Sequence, residues 1–151
     1  ELTSKISKLG LESLTVEEKK LIPENFKLGN SLYFDRFKYV MTGGGHELPP
    51  EIINRYFAAQ SVWDDTMSYY ILNYLEKRPN DIIVIIVGDF HATYGGGLPD
   101  RLKARGADKI VTISQMNLDG LTQEEAFNEI SIHPKWGERA DYIWTSSEKV
   151  E

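Results

Sequence analysis

Apolar and polar residues follow one another along this chain in blocks, and the spacing within each block predicts its secondary structure. Apolar side chains three or four positions apart, preceded by a capping residue or proline, indicate helices. Short apolar runs bounded by turn residues indicate strands. We expect helices at 2–9, 15–21, 30–41, 51–77, 99–105 and 122–130, and strands at 82–87, 109–114 and 141–145.

The order of these elements predicts an α/β fold, with a mostly parallel sheet flanked by helices. The stretch 82–87 is apolar at every position, as is typical of a strand covered on both faces, and the strand spacing fits right-handed parallel crossovers. We expect a single domain over 1–151, with a helical subdomain at 1–48 and an α/β portion at 49–151. Since a typical sheet has about five strands, we expect a fragment of a larger α/β domain. The alternative is a complete small domain.

Composition narrows the possible partners of the protein. The chain has 151 residues, a net charge of −6 and no cysteine. The acidic charge and the lack of a basic stripe argue against a nucleic-acid partner. Without cysteine, disulfides and thiolate metal ligation are excluded. No apolar run approaches the length that spans a bilayer.

Two polar residues interrupt the apolar stripe of the long helix 51–77. Gln60 and Asp64 lie one turn apart in the middle of that stripe, and a buried carboxylate needs a polar pocket or an internal donor. The helix should run antiparallel to the strand 82–87. From the end of this helix back to Asp64 is about 20 Å, and the strand from its first to its last residue is also about 20 Å long. Asp64 should therefore lie level with the carboxyl end of the strand, which precedes His91.

The loops at this end carry further candidates for ligand binding. His91 and Tyr94 follow the strand, and three glycines at 95–97 precede a helix that begins at Pro99. The loop carrying His46 leads into the same end of the long helix. In open α/β sheets ligands bind outside the carboxyl ends of the strands, and His and Tyr can ligate iron or transfer protons. We therefore expect all these features to converge on one cleft.

Each candidate also has a purely structural interpretation. His91 is then a hydrogen-bonded turn residue, Tyr94 fills a gap between loop and core, and residues 95–97 form a tight turn. Gln60 and Asp64 become a structural pair that caps a loop. The aromatic side chains on the flank of the helical stripe are interpreted as core residues: Tyr56, Trp63, Tyr70 and Tyr74.

Two motifs together resemble the ChaN-like haem-binding family, and the resemblance extends over about residues 10–145. The first is Gln-x-x-Trp-Asp-x-x-Met at 60–67, and the second is Gly-x-x-His at 88–91 followed by Gly-x-Pro at 97–99. Those bacterial proteins are often iron-regulated lipoproteins or surface proteins implicated in haem or iron uptake. The family is distantly similar to a Gly-x-x-His group that includes TIKI-type metalloproteases and erythromycin-esterase-like enzymes. An earlier family motif, Gly-Glu-x-His, is missing here, so the chain resembles the family's C-terminal portion.

The resemblance implies a haem-binding protein of the bacterial cell envelope, either periplasmic or associated with the outer membrane. Any membrane attachment would come from a lipid anchor outside this chain. An open, flat haem slot favours a homodimer that sandwiches its haems. His91 or Tyr94 would ligate the iron, with His46 as a second candidate, and the helix N-terminus with Arg101 would take a propionate. Trp63 would also line the haem slot. The residues expected to bind haem are His91, Tyr94, His46, Gln60, Asp64, Met67, Gly88, Gly96, Leu98 and Arg101.

Two other functions are kept open beside haem binding. In a metal-dependent hydrolase of the Gly-x-x-His group, His91 would hold a divalent metal ion with ligands from the missing strand, and Asp64 would act as a base or support a ligand. This chain has no HExxH motif and no paired carboxylates at metal-ligand spacing, so an enzyme is not favoured. The third alternative is a binding module without chemistry.

Overall fold

The computed structural model describes residues 2–147, and the predicted helices are confirmed with small shifts at their ends. The fold is a mixed α/β arrangement that is about half helical. In chain order the elements are α1 (Leu2–Leu9), α2 (Val16–Lys19), α3 (Ser31–Met41), α4 (Pro50–Lys77), α5 (Asp89–Ala92), α6 (Leu98–Ala104), β1 (Ile113–Asn117), α7 (Gln123–Ile130) and β2 (Tyr142–Ser146).

Side-chain caps explain where several helices begin. Thr15 accepts a hydrogen bond from the Glu18 amide, and the Glu18 carboxylate accepts one from the Thr15 amide. Thr122 and Glu125 make the same reciprocal pair at the start of α7. Each pair satisfies two amides that a helix start leaves without partners. The Asn30 side chain caps α3 by accepting from the Tyr33 amide, a contact that also anchors the site described below.

Helix α4 is the centre of the packing and carries two apolar clusters. One cluster joins Ala58, Ala59 and Val62 of α4 to Ile6 of α1 and to Leu14. The other joins Phe57 to the aromatic face of α3. At 28 residues α4 is long, but neither it nor another helix within residues 2–147 is apolar enough over a sufficient length to cross a membrane.

The sheet consists of β1 and β2, which run parallel as predicted. Their register extends from Ile113 opposite Tyr142 to Asn117 opposite Ser146, and α7 connects them. Pairing starts later along β1 than the apolar stretch 109–114 suggests. Just before the ladder, the Asp141 carboxylate accepts hydrogen bonds from the amide and hydroxyl of Thr112. These contacts fix the two chain segments just before the ladder begins.

The prediction of a buried strand at 82–87 is wrong. This stretch belongs to no sheet in the described part of the chain, and Ile82, Val84 and Ile86 are 92%, 82% and 94% exposed. A central strand requires hydrogen-bonded neighbours and a covering layer on each face. Within residues 2–147, β1 and β2 pair only with each other, so the segment 82–87 has no hydrogen-bonded neighbouring strand.

Candidate functional site

Asp64 and His91 are joined by a short hydrogen bond, so the predicted proximity of helix and turn is confirmed. The Asp64 Oδ1 to His91 Nδ1 distance is 2.5 Å. Asp64 lies near the middle of α4 and is 1% exposed, whereas His91 belongs to α5, which starts just after Gly88. The internal donor that a buried carboxylate requires is therefore the histidine itself.

A second donor holds the other oxygen of the Asp64 carboxylate. The Tyr33 hydroxyl of α3 donates to Asp64 Oδ2 at 2.8 Å. Gln60 Nε2 donates to the same hydroxyl at 3.0 Å and lies 3.0 Å from His91 Nδ1. Burial, together with the negative charge of Asp64, raises the pKa of Tyr33 well above its ordinary value. The phenol therefore remains protonated and keeps donating to the carboxylate.

This network determines which nitrogen of His91 is free. Because the Asp64 carboxylate is an acceptor, the Nδ1 proton of His91 lies between them, and a neutral ring then carries its lone pair on Nε2. Metal-ligating histidines characteristically donate their second nitrogen to a carboxylate, which fixes the ring and raises its basicity. The Asp64–His91 pair has this arrangement.

Arg36 fixes the backbone of the His91 turn from the other side. Its guanidinium donates to the carbonyls of Phe90, at 2.5 Å, and Thr93, and it lies 4.2 Å from the centroid of the Phe90 ring. The residue is 3% exposed, and burial lowers the pKa of its guanidinium, which nevertheless stays charged. A buried cation thus holds both ends of the segment that carries His91.

Sequence reasoning missed Tyr33 and Arg36. The apolar side chains of Leu32 and Val40 on α3 are exposed. The buried face of the helix consists of Tyr33, Arg36 and Phe37. The available signal was the spacing, because residues three and four apart share a helix face. An arginine on an aromatic face indicates a buried cation that needs carbonyl or anionic partners.

Tyr94 belongs to a separate aromatic group. Its backbone is in the left-handed region at φ 60°, and its amide donates to the Arg139 carbonyl at 2.7 Å. The ring lies near the guanidinium groups of Arg36 and Arg139, at 5.1 and 5.7 Å, and near Trp136 at 5.8 Å. Tyr94 and Gly96 line a cavity of about 180 Å³ whose lining does not include His91.

The glycines after Tyr94 permit close packing of Tyr33. A Cβ at Gly96 would lie 2.8 Å from the Tyr33 ring, and a Cβ at Gly97 would lie 2.6 Å from the His91 carbonyl oxygen. Gly88, by contrast, would place its Cβ in ordinary contact with the His91 ring. Two of the three loop glycines therefore bring the tyrosine and the turn together.

The remaining predicted residues lie in different environments. His46 is exposed in the turn after α3, and no hydrogen bond joins it to Gln60, Asp64 or His91. Met67 is half-buried on α4, and Leu98 is buried at the start of α6. Arg101 is also buried and donates to the Lys27 carbonyl and to Asp100. Within residues 2–147, no three His, Cys, Asp or Glu side chains form a group that could hold a metal ion.

The interpretation of the flanking aromatics of α4 as core residues is wrong. Tyr56, Trp63, Tyr70 and Tyr74 are all exposed. Trp63 is 54% exposed and packs edge to face against the His91 ring, with the ring centroids 5.7 Å apart. Tyr56, Trp63 and Tyr70 are spaced seven residues apart, so they form an aromatic row along one side of α4. His91 lies beside the middle of this row.

Comparison with known proteins assigns the family. A family model described as haem-binding uptake, Tiki superfamily, ChaN matches residues 1–102, which include α3, α4 and the His91 turn. The chain belongs to this family. No curated protein and no solved structure gives a significant match. The resemblance inferred from the two motifs is therefore confirmed, and β1, α7 and β2 lie beyond the matched region.

Proposed function

We propose that this ChaN-family protein binds haem and that His91 Nε2 is the axial ligand of the iron. The observation that carries the proposal is the hydrogen bond between the buried Asp64 carboxylate and His91 Nδ1. A carboxylate in this position sets the tautomer, fixes the ring plane and makes the imidazole a stronger ligand.

The surroundings of His91 fit a flat, largely apolar cofactor. Haem binding requires an apolar surface next to the axial ligand, and the exposed ring of Trp63 lies against His91. Tyr56 and Tyr70 are also exposed, about two helical turns from Trp63 on either side along α4. Haem would supply an iron centre, while the chain would supply the imidazole, its orientation and an aromatic wall.

The biological setting follows from the family and is part of the proposal. A haem-binding uptake protein of bacteria works where haem is captured, so we assign this chain to haem or iron uptake at the cell envelope. Attachment would be through a lipid anchor outside these 151 residues. An aromatic face that is open to solvent also favours a homodimer, in which a second copy covers the bound haem.

A hemin titration tests the axial ligand. We expect the wild-type protein to give a saturable Soret shift, and His91→Gly to lose most of it. Added imidazole should restore the band in His91→Gly, since it can occupy the space of the missing ring beside Asp64. His46→Ala is the control, because His46 is exposed in the turn after α3, and it should bind hemin as the wild type does. An unchanged spectrum in His91→Gly would remove His91 as the ligand.

Tyr94→Phe tests the competing ligand from the sequence analysis. A phenolate–iron bond gives a charge-transfer absorption that an imidazole–iron bond lacks, so its loss in Tyr94→Phe would assign the iron to Tyr94. We expect the hemin spectrum of Tyr94→Phe to match that of the wild type, because the Tyr94 ring packs against Arg36, Arg139 and Trp136.

A further inference from the structure

The cavity beside Tyr94 has the properties of an anion site that is separate from His91. Its volume is about 180 Å³, and its walls include Tyr33 and Arg36 of α3, Tyr94 with the two glycines that follow, and Trp136. Pockets that enclose a whole drug-sized ligand measure about 300–1,000 Å³. This cavity therefore accommodates a small molecule or one arm of a larger one.

Two of the residues that line the cavity each carry a side-chain hydrogen-bond donor without an acceptor in residues 2–147. These donors are Arg36 Nε and Trp136 Nε1, and both atoms are buried. Arg36 uses its other two nitrogens on the Phe90 and Thr93 carbonyls, so Nε is its remaining donor. A buried donor without an acceptor costs about 1–3 kcal/mol, which a ligand with two acceptor atoms would recover.

The charge of the cavity wall selects the ligand class. Arg36 is the one charged residue among those lining the cavity, and no lining residue is acidic. No ion pair joins Arg36 to a carboxylate in the described chain; its direct partners are backbone carbonyls and aromatic rings. A carboxylate would provide a direct counter-charge for Arg36 and two oxygens for the two nitrogens, and its hydrocarbon part would contact Tyr33, Tyr94 and Trp136.

We propose that this cavity binds a carboxylate group, with Arg36 Nε and Trp136 Nε1 as its donors. The carboxylate would come from a free short-chain acid or from the propionate arm of a porphyrin. The second source rests on the proposed haem function, whereas the first does not depend on it.

A titration of ¹⁵N-labelled protein with sodium propanoate tests the proposal by NMR. We expect the indole resonance of Trp136 and the amides of Gly95 and Gly96 to shift saturably, while the indole of Trp144 on β2 does not move. Propanamide has nearly the same shape without the charge and should cause little shift. No saturable shift with propanoate, or equal shifts with both compounds, would overturn the proposal.

Two variants distinguish the loss of a hydrogen-bond donor from a disturbance of the fold. Arg36→Gln removes the charge and should weaken propanoate binding by at least about tenfold, but it also releases the His91 turn. Trp136→Phe keeps an aromatic side chain and leaves the bonds of Arg36 to the Phe90 and Thr93 carbonyls in place. It removes one donor and should weaken binding about fivefold, with the Gly95 and Gly96 amides as the readout. Trp144→Phe is the matched control. Wild-type affinity in both cavity variants would contradict the donor assignment.

Porphyrin probes identify the source of the carboxylate. Zinc protoporphyrin is diamagnetic, so its effect on the Trp136 indole can be followed directly. If the porphyrin displaces propanoate and its dimethyl ester does not, the cavity holds a propionate arm. If zinc protoporphyrin leaves Trp136 unchanged while propanoate shifts it, the ligand is a free acid. Because propanoate contains no porphyrin, its result stands even if His91 binds no haem.

Discussion

Replacing Asp64 with Asn is expected to weaken hemin binding by about 10- to 100-fold. The Asp64 carboxylate accepts from both His91 Nδ1 and the Tyr33 hydroxyl. An Asn side chain has one oxygen and one NH₂ group, so one of these donors would face another donor. If His91 faces the NH₂ group, its proton moves to Nε2, and the nitrogen that should ligate iron is blocked.

The neighbouring residue provides the control for Asp64→Asn. Asp65 is also a buried carboxylate, but it forms an ion pair with Arg105 at 2.6 Å on a different face of α4. Asp65→Asn should therefore destabilise the fold and leave the hemin affinity of the folded protein unchanged. Hemin titrations of both variants, each checked by circular dichroism, make the comparison. Equal loss of affinity in the two variants would show that Asp64 acts only through stability.

The contact between Asp64 and His91 was predictable because it depends on regular geometry. Helices and strands have nearly constant rise per residue, so counting residues back along α4 and forward through 82–87 places the two side chains level. That count leads to the contact that the structure shows, even though 82–87 joins no sheet. The helix bounds were predictable for a similar reason, since caps such as Thr122 with Glu125 are local.

Contacts that depend on neighbouring elements were not predictable from local spacing. The six apolar residues at 82–87 match a buried strand, but their sequence contains no information about whether other strands lie beside them. Tyr33 reaches Asp64 because of the way α3 packs on α4, and Arg36 reaches two carbonyls of the His91 turn. Likewise, hydrophobic character alone does not distinguish core from exposed surface, which explains the error at Trp63.

Gly97→Ala is expected to destabilise the protein by about 2–6 kcal/mol. Gly97 adopts φ 64° and ψ −131°, a backbone conformation that costs a residue with a side chain about 1–3 kcal/mol. Its Cβ would also lie 2.6 Å from the His91 carbonyl oxygen and 3.0 Å from the Tyr33 hydroxyl, and overpacking of this kind adds about 1–3 kcal/mol. Because the backbone of His91 must shift, hemin affinity should fall as well.

Gly95→Ala allows the cost of backbone strain to be separated from the cost of overpacking by the added Cβ. Gly95 has φ 70°, but no heavy atom lies within 4 Å of the position its Cβ would take, so this variant should lose only about 1–2 kcal/mol from backbone strain. Urea unfolding of the wild type and both variants measures the difference. A loss in Gly97→Ala that exceeds the loss in Gly95→Ala by more than about 1 kcal/mol reports the close approach of Tyr33 and the His91 turn. If both variants lose the same free energy, the loop is not held against Tyr33 in solution, and the orientation of His91 must depend on Asp64 and Arg36 alone.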